Sequence, residues 1–194
     1  MKHLLIVATI ALFASSASAQ DACPEFANMV TLITDGGKSS KELALEKPVA
    51  KQSKKGIYRG HDTSVRLEGL NAKVQATAES TFAFRPLSAQ IHPAQQIKLF
   101  PFNSKRSYRE LVVGGTNMWG GSKNRKASDN SVSLEFKKIK DGCYKITIPP
   151  DIPKGEYAFS LASVGQGQSA DVKGANAGYG SSVQGQTWFG FSVK

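Results

Sequence analysis

Pro153-Lys154-Gly155-Glu156-Tyr157-Ala158-Phe159-Ser160-Leu161 is the stretch on which the fold class turns. Proline presets the first position of a tight turn, and glycine supplies the left-handed one. The chain then places Tyr157, Phe159 and Leu161 on one face, the period of two that marks a half-buried strand.

The same period recurs on either side. Downstream, Trp188-Phe189-Gly190-Phe191-Ser192-Val193 closes the chain, with Phe189, Phe191 and Val193 toward a core and Trp188 away from it. Upstream, Asp141-Gly142 turns the chain into Cys143 to Ile148, where Ile146 and Ile148 alternate with polar neighbours before Pro149-Pro150 ends the run. Met29 to Thr34, a turn at Asp35-Gly36-Gly37, and Glu42 to Leu45 predict a hairpin, since glycines tolerate the positive φ of tight turns. Short alternating runs follow at Val65 to Leu67, Val74 to Ala76, Thr81 to Arg85, Lys98 to Phe102, Arg109 to Val113 and Val132 to Phe136. Pro101 lacks an N–H, which predicts a strand edge or end there.

No stretch keeps a helical apolar stripe for three turns, and Pro48 interrupts the best candidate, Ser40 to Ala50. The pattern therefore predicts an all-β, antiparallel β-sandwich of seven to nine strands with little helix. Gly114 to Asn130 and Gly165 to Gln186 read as long irregular loops, a class that tends to carry function. There is no internal repeat.

The N-terminus sets the compartment. Lys2 and His3 precede the apolar run Leu4 to Phe13, and Ala14 to Ala19 ends in Ala17-Ser18-Ala19. This is the layout of a secretory signal peptide, with cleavage expected after Ala19. The apolar run is too short for a membrane anchor, and no later segment is apolar enough to span a bilayer. Residues 1–19 are thus a removable leader and 20–194 a single domain, exported to the periplasm or outside the cell. The two cysteines, Cys23 and Cys143, both survive cleavage, and in an oxidising compartment such a pair predicts one disulfide.

Chemistry-bearing patterns are sparse. His61 and His92 have no metal spacing around them, so neither a metal nor another cofactor is expected. Gly37-Lys38-Ser39 lacks the glycine five residues earlier that a phosphate loop requires, because Leu32 stands there. Gly180-Ser181-Ser182 is not a nucleophile elbow. Glu68, Glu79, Glu110 and Glu135 lie on or near strands and leave a hydrolase with a carboxylate pair as one alternative. The composition leans toward a non-enzymatic module with a binding or structural role.

Charge offers a second alternative. The chain carries 25 Lys+Arg against 15 Asp+Glu, an excess of nine once Lys2 leaves with the leader. Lys51, Lys54, Lys55 and Arg59 form one group beside Tyr58, and Lys105, Arg106 and Arg109 a second around Tyr108. Lys123, Arg125 and Lys126 form a third after Trp119, and Lys137, Lys138 and Lys140 approach the Asp141-Gly142 turn. Converging basic loops would attract a polyanion: an anionic glycan, lipopolysaccharide or nucleic acid, or another envelope component. Scattered lysines that solubilise the surface and guard strand edges account for the same composition.

Met29-Val30-Thr31-Leu32, Thr81-Phe82-Ala83-Phe84, Arg109 to Gly114, Pro153 to Phe159 and Trp188-Phe189-Gly190-Phe191 together resemble bacterial exported immunoglobulin-like β-sandwich domains with no assigned activity. The Pro-x-Gly-x-Tyr start of a strand is common in such sandwiches, where the tyrosine hydroxyl bonds back to nearby backbone. The resemblance implies an immunoglobulin-like fold and carries over no catalytic residue.

Overall fold

The computed structural model describes residues 22–34, 39–54, 61–116, 122–123, 130–161 and 186–194. The expected leader lies outside them, as do the Asp35-Gly36-Gly37 turn and nearly all of the 165–186 segment.

In chain order the first strands are Met29–Thr34 (β1), Ser39–Glu42 (β2), Leu45–Glu46 (β3), Val49–Lys54 (β4), His61–Glu68 (β5), Gln75–Ala76 (β6) and Thr81–Arg85 (β7). One helical turn, Pro93–Gln96 (α1), precedes Ile97–Ser104 (β8), Tyr108–Thr116 (β9) and Ser122–Lys123 (β10). Glu135–Lys140 (β11), Cys143–Thr147 (β12), Gly155–Leu161 (β13) and Thr187–Val193 (β14) complete the described elements. The chain is predominantly β, in curled antiparallel sheets. Among the described residues it has fourteen strands, more than the seven to nine expected.

Five strands form one layer in the order β11-β12-β7-β1-β2. Cross-strand register aligns Ile146, Phe82 and Leu32 in one row, and Tyr144, Phe84 and Val30 in the next. Phe82, Phe84, Val30 and Ile146 are fully buried. They meet the second sheet through Phe159 and Phe191, whose rings lie 5.1 and 4.8 Å from Phe82. The β1–β2 hairpin forms, but its second arm is Ser39–Glu42 rather than 42–45.

The second sheet runs β3-β14-β13-β8-β9-β5-β4, with β10 on β9 and β6 parallel to β14. Its two ends are one piece of chain. Leu45–Glu46 pairs with β14 and, only Lys47-Pro48 later, Val49–Lys54 pairs with β5. The sheet therefore rolls up until its first and last strands are joined by two residues, and it gains an interior. Val65, Leu67, Phe100, Phe102, Leu111, Val113, Ala158 and Trp188 fill that interior as a second core. Phe189, Phe191 and Val193 face the first core as their spacing predicts, and Trp188 faces the second.

Pro101 sits in mid-strand, opposite Tyr157 of β13, so the expectation of a strand edge is corrected. On the other side of β8, Leu99 bridges Val132 and pairing with β9 begins only at Asn103. Pro101 falls in that interruption, where a missing N–H is tolerated. The Tyr157 hydroxyl donates to the Pro153 carbonyl at 2.8 Å, closing the corner that its spacing predicted.

Cys23 and Cys143 are disulfide-bonded, with Cα atoms 6.1 Å apart and a sequence separation of 120. The bond fastens residues 22–28 across the outer face of the five-stranded sheet. Thr31 Oγ1 donates to Ala22 O at 3.2 Å, and Arg85 Nη1 donates to Glu25 O at 2.6 Å. Beneath this strap Thr31, Ala83 and Cys143 are buried.

Candidate functional site

The densest polar constellation among the described residues lies inside the rolled sheet. On β9 the alternation Arg109, Leu111, Val113 points all three side chains inward, because Leu111 and Val113 belong to the second core. On β13 and β14 the same parity brings Glu156, Gly190 and Ser192 to the face of Ala158 and Trp188. A guanidinium and two carboxylates thus meet where the sheet closes.

Arg109 is 1% exposed. Its Nη2 is ion-paired with Glu46 Oε2 and donates to Glu68 O at 3.0 Å, while Nε donates to Gly69 O at 3.2 Å. Glu156 Oε2 lies 3.9 Å from Arg109 Nη1 and accepts from the Ala72 N–H at 2.8 Å. Glu156 Oε1 accepts from Ser192 Oγ at 2.6 Å. One side chain therefore ties β3, β13, β9 and the end of β5, the first, third, fifth and sixth members of the roll.

Gly190 makes room for this cluster. A Cβ there would collide with the Glu46 carboxylate and lie 2.8 Å from Arg109 Nη1. Arg109 Nη1 and Trp188 Nε1 have no hydrogen-bond partner among the described residues. With both carboxylates ionised the cluster of one guanidinium and two carboxylates is net negative. Burial holds the Glu46 carboxyl above its ordinary value, against the opposing pull of Arg109 and Lys73 and with the Glu156 charge adding to the rise.

A carboxyl whose folded pKa is raised contributes stability that is fully present below its unfolded value and is lost as pH rises through the folded value. Glu46→Gln is therefore expected to flatten the stability profile above about pH 4.5 and to leave the protein at least as stable as the parent at pH 7. Urea melts of both proteins between pH 4 and 8 measure this. A loss of more than about 1 kcal/mol at pH 7 would show that the ion pair outweighs the burial of charge.

Arg109 was expected among the polyanion-binding residues, and its place is corrected: it is buried and committed to Glu46 and Glu156. Lys105 and Arg106 are exposed in the β8–β9 turn. Tyr108 beside them is covered by the Arg66 guanidinium, 4.2 Å from its ring centroid. The backbone of Lys54 is in register with His61, Thr116 and Ser122, and Lys123 lies in the adjacent row. That row is the far end of β9, roughly 27 Å from the Lys105 turn at 3.4 Å per residue. The structure thus places Lys54 and Lys123 at the same end of the sheet, on strands with β5 and β9 between them, and separates both from Lys105 and Arg106. Lys55, Arg59, Arg125 and Lys126 lie outside the described residues.

The carboxylates singled out from sequence do not form a pair. Glu110 is held by Arg66 Nε and Ser64 Oγ, each at 2.8 Å, while Glu68, Glu79 and Glu135 are exposed. The carboxylates that do converge, Glu46 and Glu156, were missed. Their signal was available for Glu156 and Arg109: each is a charge at a strand position whose period-two neighbours, Ala158 for one and Leu111 for the other, are apolar. Nothing local marks Glu46, whose partner is 63 residues away.

Among the described residues no group of three or more His, Cys, Asp or Glu is placed to hold a metal ion, and no helix is long and apolar enough to cross a membrane. No family model, curated protein or solved structure matches the chain.

Proposed function

We propose that the chain is an exported, non-enzymatic module that serves a binding or structural role at the bacterial envelope or outside the cell. The observation that carries this reading is the Cys23–Cys143 bond, which fastens the chain four residues after the expected leader cleavage site. Such a bond persists where thiols are oxidised. The tyrosine corner at Tyr157 and the packed aromatic layers support an immunoglobulin-like relationship for the domain. The rolled second sheet is a departure from two flat layers.

The hydrolase alternative has no observation in its favour. Of the two carboxylates that share a site, Glu156 is buried and bonded to Ser192 and the Ala72 N–H, and Glu46 is half-buried and ion-paired with Arg109. Both are committed to partners of the same cluster, and Glu156 is closed off from solvent.

Expression of the full chain with its own leader tests the reading. The expected product is periplasmic or secreted, begins at Gln20 by intact mass and has no alkylatable thiol. A cytoplasmic product that retains Met1 and two reactive cysteines would overturn it.

A further inference from the structure

Among the described residues the last strand of the five-stranded sheet, β11, pairs only with β12. Lys137, Lys138, Lys140 and Lys145 fall within nine residues of this hairpin, and the first three are exposed. Phe136 packs against the first core and its cross-strand partner Ile146 belongs to it. The next pair in register, Lys137 and Lys145, therefore points to the outer face. Two like charges directly opposite each other weaken a sheet, and adjacent strands hold them about 5 Å apart at the backbone. Glu135 stands two residues from Lys137 on the same face, yet neither Lys137 nor Lys145 has a carboxylate partner among the described residues. Lys138 differs: it is ion-paired with Asp141.

We infer that the outer face of the β11–β12 hairpin, centred on the Lys137–Lys145 pair, is a docking edge for an anionic polysaccharide. The inference rests on the reading of the chain as a binding module outside the cytoplasm. Two ammonium groups on neighbouring strands can share one sulfate or carboxylate, or take two successive ones along a polymer. The arrangement that is unfavourable for the sheet alone becomes favourable when an anion lies between the two strands. A single nucleic-acid strand fits less well, because such strands are held by a series of stacking rings as well as by charge. The rings on this hairpin, Phe136 and Tyr144, both lie on the core side, Tyr144 in register with Phe84. Phe26, on the strap that crosses the same outer face, is the one exposed ring there among the described residues.

Salt-gradient elution of the full mature chain from immobilised heparin, with immobilised single-stranded DNA as the comparison, tests this. Lys137→Glu/Lys145→Glu is set against Lys105→Glu/Arg106→Glu, which reverses the same number of charges. The hairpin variant is expected to elute from heparin at distinctly lower salt than the control and to show a shallower salt dependence, since fewer counterions are released. Lys137→Glu alone keeps the test free of folding artefacts. It creates an opposite-charge pair with Lys145, so melting temperature should hold or rise while retention falls.

Equal losses from both double variants would overturn the inference, because net charge would then be the cause. A larger loss on DNA than on heparin would overturn it in favour of nucleic acid. Failure of the parent protein to stay on heparin above about 0.15 M salt would also overturn it. That result would leave the export reading standing, because cleavage after Ala19 and the disulfide are read separately.

Discussion

Replacing Arg109 with alanine is expected to remove about 3–5 kcal/mol of folding stability, a large part of the 5–15 kcal/mol typical of a domain. The physical reason is the pair it leaves behind. Glu156 is buried with Ala72 N–H and Ser192 as its hydrogen-bond donors, and Glu46 loses its ion-pair partner. The Glu68 and Gly69 carbonyls at the end of β5 also lose their Arg109 donors. Urea unfolding at pH 7 should show a markedly lower midpoint. Lysine should rescue little, since an ammonium cannot reach Glu46, Glu68 O and Gly69 O together. A triple variant, Arg109→Met with Glu46→Gln and Glu156→Gln, should recover much of the loss, because it removes the stranded charges along with their partner. An alanine variant that melts within about 2 °C of the parent would show that the roll closes without the guanidinium.

Reduction of Cys23–Cys143 carries the second large effect. Closing a loop of 120 residues is worth about 4–5 kcal/mol in the chain-entropy account. For a domain of this length that corresponds to a fall of roughly 10–20 °C in melting temperature. Part of the effect is local, since the bond also holds residues 22–28 over Thr31, Ala83 and Cys143. Calorimetry with and without reductant, repeated on Cys23→Ser/Cys143→Ser, measures the effect. A fall of less than about 3 °C would mean that the hydrogen bonds of Thr31 and Arg85 hold the strap without the covalent bond.

Much of the local structure was legible because it depends on near neighbours in the chain. Alternation at Thr81 to Arg85 and at Trp188 to Val193 predicted which rings share a face, and the burial of Phe82, Phe84, Phe189 and Phe191 agrees. Pro153, Gly155 and Tyr157 specified a corner within five residues, and the Tyr157–Pro153 bond closes it. The cysteine pairing followed from there being two cysteines.

Other features belong to contacts between distant segments, which no local window contains. Period-two spacing told that Trp188 points away from Phe189 but not that this second direction is also a core. That required β9, β5 and β4 to fold over the back of β13 and β14. The basic group around Tyr108 illustrates the limit: Lys105, Arg106 and Arg109 are neighbours in sequence, but the first two are exposed and the third is buried. Charge counting treats all three alike, whereas the face of the strand decides their surroundings.

By itself, then, the order of residues determined the β class, the facing of each major strand, the Tyr157 corner and the identity of the bonded cysteines. Each of these depends on backbone geometry over a few residues, or on having a single available partner. The tertiary structure alone decided that one sheet rolls up through Leu45–Lys54, that Arg109 meets Glu46 and Glu156 inside it, and that Lys137 faces Lys145. Those outcomes follow from strand order and register, which are set by the joint burial of two apolar cores rather than by any one segment's preference.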